Sequence, residues 1–120
     1  MLNSRFTDNK GGYVLQLVGD EVLIANTIIT DNDTGNSPLV LNQAGSSSNP
    51  TRFINNTIAN NTTTNSSLIE VFSSLRVENS IFYGNNATYD IEEIDGSIDI
   101  SHSVYQAVLG TPTETNTLVG

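Results

Sequence analysis

The chain has no cysteine, no tryptophan, a single histidine, and only four lysine and arginine residues in 120. Without cysteine there can be no disulfide, no thiolate metal site and no cysteine nucleophile. A lone histidine with no cysteine and no nearby serine–aspartate constellation makes neither a catalytic triad nor a transition-metal site. The scarcity of basic residues, set against thirteen acidic ones, leaves a formal charge of −9. A phosphate binder needs a basic face, so nucleic acid is not an expected partner. The same acidity opposes docking on anionic lipid.

Long apolar runs are missing too. Nothing approaches the ~18 residues needed to span a bilayer, so no membrane insertion is expected. The opening Met1-Leu2-Asn3-Ser4-Arg5-Phe6 lacks the apolar segment of a signal peptide, so an export signal is not expected in this segment. Hydrophobic residues make up 37% of the chain, enough for a thin core within one domain.

What is present in quantity is Asn, Thr and Ser. Such a composition ordinarily reads as turns or disorder. The apolar residues return too regularly for disorder. Four segments share one pattern: Asn3 to Asn9, Asn26 to Asn32, Asn55 to Asn61 and Asn79 to Asn85. Each reads Asn, two residues, a large apolar residue, two residues, Asn. A degenerate fifth copy begins at His102 and runs through Ser103-Val104-Tyr105. The starts at 3, 26, 55, 79 and 102 are separated by 23, 29, 24 and 23 residues. The one long step contains Asn42 to Pro50, a turn-forming stretch nearly free of apolar side chains, which reads as a loop insertion over 42–50.

The residues before each motif alternate. Ile24, Phe53, Val77 and Ile100 stand two places before the motif and form a predicted core column. Leu23, Arg52, Arg76 and Asp99 stand one place further back, and this mostly charged column must face water. A third apolar patch follows each motif: Leu15 and Leu17, Leu39 and Leu41, Leu68 and Val71, Ile91 and Ile94. Each repeat therefore offers about three short strands separated by polar turns.

A unit of ~23 residues cannot bury its apolar face alone, so repeats of this kind must stack. The expected fold is all-β: a parallel β-helix of about four to five coils, three short strands per coil, with residues 1–120 forming one solenoid segment of a longer protein. Asn suits the repeated corner because it tolerates left-handed backbone angles and its amide can bond to an equivalent amide one rung away. Asn3, Asn26, Asn55 and Asn79 are the expected ladder, with His102 at its end.

Phe6-Thr7-Asp8-Asn9 followed by Gly11-Gly12-Tyr13-Val14 resembles the Phe-x-x-Asn and Gly-Gly-apolar pairing of polymorphic outer-membrane protein repeats. Asn79-Ser80-Ile81-Phe82-Tyr83-Gly84-Asn85 is similar to rungs of large bacterial surface proteins. The resemblance, from about Asn3 to Tyr105, is to the right-handed β-helices of the pectate-lyase-like superfamily. It implies a right-handed coil and a bacterial extracellular or cell-surface location. It does not imply catalysis, because that superfamily holds lyases, hydrolases, epimerases, adhesins and passive stalks.

Candidate sites are few. Arg52 and Arg76 share an outward column on adjacent rungs, where a lyase of this superfamily would place a basic residue. Asp99 continues the column and Glu78 flanks it, so an ion-pair ladder is the expected role. Asp90, Glu92, Glu93, Asp95 and Asp99 are dense but flank Ile91 and Ile94 as a solvated strand face would. Asp31 and Asp33 lie in an Asp-Asn-Asp-Thr-Gly stretch that superficially resembles a calcium loop. Gly35 occupies its third acidic position and no closing Glu follows, so a plain turn and no cofactor are expected.

The leading expectation is a non-catalytic solenoid segment of a surface or secreted protein: a stalk, an adhesin or a surface contacting polysaccharide or host glycan. The alternatives are part of a carbohydrate-active enzyme, lyase or hydrolase, and a solenoid that self-assembles end to end through open rungs.

Overall fold

The computed structural model describes all 120 residues and contains sixteen strands and no helix. The chain winds as a right-handed parallel β-helix. The first rung of strands is β1 (Arg5–Thr7), β2 (Leu15–Leu17) and β3 (Leu23–Ala25). The second is β4 (Ile28–Thr30), β5 (Val40–Asn42) and β6 (Thr51–Ile54). The third is β7 (Thr57–Ala59), β8 (Ser67–Val71) and β9 (Ser74–Glu78). The fourth is β10 (Ile81–Tyr83), β11 (Tyr89–Glu93) and β12 (Ser97–Ser101). The fifth is β13 (Val104–Tyr105), β14 (Val108–Leu109) and β15 (Thr113–Thr115), and β16 (Leu118–Val119) opens a sixth.

Every third strand pairs in parallel, giving three sheets. Sheet 1 runs β1-β4-β7-β10-β13-β16, sheet 2 runs β2-β5-β8-β11-β14, and sheet 3 runs β3-β6-β9-β12-β15. Stacking fixes register, because a slip of one residue would turn every inward side chain outward. Ile24 pairs with Phe53, Phe53 with Val77 and Val77 with Ile100, so the predicted core column lies in one file inside sheet 3. All four are buried. Sheet 1 contributes Phe6, Ile29, Ile58 and Phe82 in register. Sheet 2 contributes Leu15, Val40, Ile69 and Ile91, with Val108 above them.

The sheet 2 register differs from the one expected. Leu15 stacks on Val40, not on Leu39, and Leu41 faces outward beside Gln16. Glu93, not Ile94, pairs with Val71, and Ile94 is exposed. Leu39-Val40-Leu41 is apolar at three successive positions, so alternation cannot choose its inward member. All three are buried.

The last coil is shorter than the rest. Val104 pairs with Leu118 and Asp99 with Thr113, a step of 14 residues where the sequence repeat is 23. Asn116 thus becomes a sixth corner residue that the repeat spacing did not disclose. Above Ile100 the core file continues with Glu114, which is exposed, so the hydrophobic interior closes down at this coil.

Candidate functional site

The repeated Asn-x-x-apolar-x-x-Asn segment makes two different corners. Its first residue ends sheet 3 and begins sheet 1. Asn3, Asn26, Asn55, Asn79 and His102 all take left-handed angles there, with φ of 53°, 52°, 56°, 49° and 48°. They are exposed. Asn55 Nδ2 donates to Asn26 Oδ1 at 3.2 Å, and the Asn116 amide meets His102 Nε2 at 3.1 Å. At these positions side-chain bonding links single pairs; the backbone conformation is what all of them share.

The continuous amide ladder stands at the motif's other end. Asn9 Nδ2 donates to Asn32 Oδ1 at 2.9 Å, Asn32 Nδ2 to Asn61 Oδ1 at 2.9 Å, and Asn61 Nδ2 to Asn85 Oδ1 at 3.1 Å. The same oxygens accept from the backbone N–H groups of Asn9, Asn32 and Asn61. The second amide hydrogens reach Phe6, Ile29 and Ile58 carbonyls on the coil below. Asn32, Asn61 and Asn85 are buried, and these bonds offset the cost of taking amides out of water.

A second buried polar file lies one residue past the first corner. Thr27 N–H donates to Asn56 Oδ1, Asn56 N–H to Ser80 Oγ, and Ser80 N–H to Ser103 Oγ, at 2.9, 3.1 and 3.0 Å. Small hydroxyl and amide side chains fit here because a sharp corner leaves its N–H groups without strand partners. Any single Ser or Thr in so Ser/Thr-rich a chain looks unremarkable; only the rung register brings this file out.

Outside, sheet 3 carries Leu23, Arg52, Arg76, Asp99 and Thr113 in one file. Arg52 lies 3.8 Å from Glu78, and Arg76 lies 3.5 Å from Asp99. Both pairs are substantially exposed, so each contributes at most ~1 kcal/mol. The geometry turns both guanidinium groups toward carboxylates. Beside Arg52, a shallow cleft of about 310 Å³ is lined by Glu21, Val22, Leu23, Asn49 and Pro50. One wall comes from the 43–50 connection between β5 and β6, whose ends are tied by a Gly45–Pro50 bridge.

Asp31 is another left-handed corner, at φ 58°. Asp33 bridges the backbones of Lys10 and Thr62, and its Oδ1 accepts from Gly35 N–H at 3.2 Å. No three His, Cys, Asp or Glu residues gather closely enough to hold one metal ion.

Two features escaped sequence reasoning. On the outer face of sheet 2, Glu70 and Glu92 pair in register on adjacent rungs. Asn65 donates to Glu70 at 2.9 Å, and Ser66 and Ser67 donate to Glu92 at 2.9 and 2.8 Å. Both carboxylates therefore anchor the 65–67 turn. The second feature is Asp90, which is not on a solvated face but buried. Its Oδ2 accepts from Gln106 N–H at 2.6 Å and Ala107 N–H at 3.4 Å, and the carboxylate also bonds Asn85. It supplies acceptors where the shortened fifth coil has no Asn to continue the ladder. Burial pushes its pKa above the ordinary carboxylate value, against the lowering effect of those hydrogen bonds.

No family model, curated protein or solved structure matches this chain.

Proposed function

We propose that this chain is a non-catalytic solenoid segment of a bacterial surface or secreted protein, serving as a rigid stalk or adhesin that presents a carbohydrate-contacting surface. The resemblance of its rungs to pectate-lyase-like and polymorphic outer-membrane repeats supports the location. The observation that carries the non-catalytic reading is the pairing of Arg52 with Glu78 and Arg76 with Asp99. A lyase arginine must be free to meet the substrate at its reacting carbon. Here each outward arginine already faces an acid of the same wall.

The test is an assay on uronate-containing polysaccharides with the wild-type chain and with Arg76→Ala. The expected result is no turnover in either. Turnover that disappears with this one substitution would replace the scaffold reading with a lyase.

A hydrolase is the second reading, favoured by the in-register Glu70–Glu92 pair. Adjacent rungs lie ~4.8 Å apart, near the ~5–5.5 Å carboxyl separation of retaining glycosidases. The hydrogen bonds from Asn65, Ser66 and Ser67 assign both groups to the turn, and for that reason the scaffold reading is preferred. Glycosidase activity lost in Glu92→Gln would reverse the preference.

A further inference from the structure

The outer face of sheet 1 differs from the rest of the surface. Its first outward file is Arg5, Ile28, Thr57, Ile81, Val104 and Leu118. Its second is Thr7, Thr30, Ala59 and Tyr83. Above Arg5 neither file contains an acidic or basic residue, although the chain carries a charge of −9. Ile28 and Ile81 are 41% and 46% exposed, and Tyr83 and Leu118 are 70% and 69% exposed. Exposed left-handed corners rim both long sides: Asn26, Asn55 and Asn79 on one, and Asp8, Asp31, Asn60 and Gly84 on the other.

Six strands at ~4.8 Å spacing, four of three residues and two of two, make a strip about 24 Å long and at most about 10 Å wide. That footprint, at most roughly 240 Å², falls well below the ~800 Å² per partner of a stable protein–protein interface. A peptide strand would seek free backbone groups at a sheet edge, and the middle of a sheet face has none. A polyanion would meet the field of a strongly acidic chain. The occupant that fits is slender, extended and uncharged. It should have apolar faces for the Ile and Tyr side chains and hydroxyl edges for the amide and carboxylate rims, since an amide both donates and accepts and a carboxylate accepts.

We propose that the outer face of sheet 1 binds one extended chain of a neutral polysaccharide lying along the solenoid axis. This deepens the carbohydrate-contacting reading above and rests on it. Pyranose rings present C–H faces to Ile28, Ile81 and the Tyr83 ring, while their equatorial hydroxyls reach Asn26, Asn55, Asn79 and Asn60. A strip of about 24 Å holds four to five sugar units at roughly 5 Å each, close to one unit per rung.

The experiment is an amide-resonance titration of the full chain with neutral β-1,4-linked hexamers of glucose, mannose and N-acetylglucosamine, and with a galacturonate hexamer. The expected result is that at least one neutral hexamer shifts the amides of residues 28–30, 57–59 and 81–83 and the uronate does not. Tyr83→Ala and Ile81→Asp should each weaken that binding at least tenfold while the far-UV circular dichroism spectrum stays the same. Shifts confined to the Arg52 cleft would overturn this face and leave the glycan reading standing. No shift with any of the four hexamers would overturn both. Self-association that rises with concentration and disappears in Ile81→Asp would make the strip a contact between copies and overturn the proposal.

Discussion

At the scale of single residues, two asparagines six positions apart do different work. Asn61 is buried and makes four side-chain bonds, accepting from the Asn32 backbone and amide and donating to Ile29 and Asn85. Asn61→Ala strands the Asn32 groups away from water, and each buried unsatisfied group costs ~1–3 kcal/mol. The expected loss in urea unfolding is about 3 kcal/mol or more. Asn55 is exposed, at φ 56°, with one amide contact, so Asn55→Gly should change stability by less than ~1 kcal/mol. Equal losses would show that the two positions had been given the wrong roles. The repeat places both asparagines, because they recur with the winding. Which one faces inward depends on how sharply each corner turns, and two identical side chains in one motif carry no mark of that.

At the scale of strands, β5 holds an inconsistency. Asn42 stacks inward between Leu17 and Val71, and neither its amide nitrogen nor its oxygen has a partner. Thr51 Oγ1, at the start of the next strand, is buried and unpartnered as well. The two flank the 43–50 connection between β5 and β6. Asn42→Leu matches the flanking file and removes two unsatisfied groups, so it should stabilise by ~1–3 kcal/mol. A thermal melt should rise by several degrees, and a fall would mean that Asn42 has a polar role. The turn-forming composition of 42–50 reads as a loop, whereas β5 runs through Asn42. The burial of this Asn was not legible, because Asn at the edge of a turn-rich stretch reads as part of the turn.

The β11–β14 junction gives a pH dependence. Asp90 has a raised pKa in the folded chain, chiefly from burial, so folding favours its protonated form. Its contribution is therefore fully present below the unfolded value near 3.8, and it fades as pH rises through the folded value. Acidification from pH 7 toward 4 should stabilise the wild-type chain relative to Asp90→Asn, as read from paired thermal melts. In sequence, the acid-rich stretch from Asp90 to Asp99 reads as a solvated strand face throughout. The exception arises because the next coil is short, and nothing local to residue 90 announces that. Gly96 marks the turn that follows: it has φ 82°, and a Cβ there would collide with the Ser73 carbonyl oxygen, so this turn tolerates no side chain.

At the scale of the whole molecule, the winding itself was readable, since steps of 23, 24 and 29 residues return the same motif to the same corner. The shortened last coil was not, because Asn116-Thr117-Leu118 is too brief to stand out in a chain full of Asn and Thr.

The central claim is that equivalent residues of successive coils lie side by side in parallel register. A chain without cysteine lets this be measured by directed cross-linking. Thr57 and Ile81 are outward partners on adjacent rungs, at a separation that a disulfide can bridge. Thr57→Cys combined with Ile81→Cys should form an intramolecular disulfide nearly completely under mild oxidation, while Thr57→Cys combined with Tyr83→Cys, two residues out of register, should form little. Equal cross-linking of both pairs, or preference for the shifted one, would contradict the stacked solenoid.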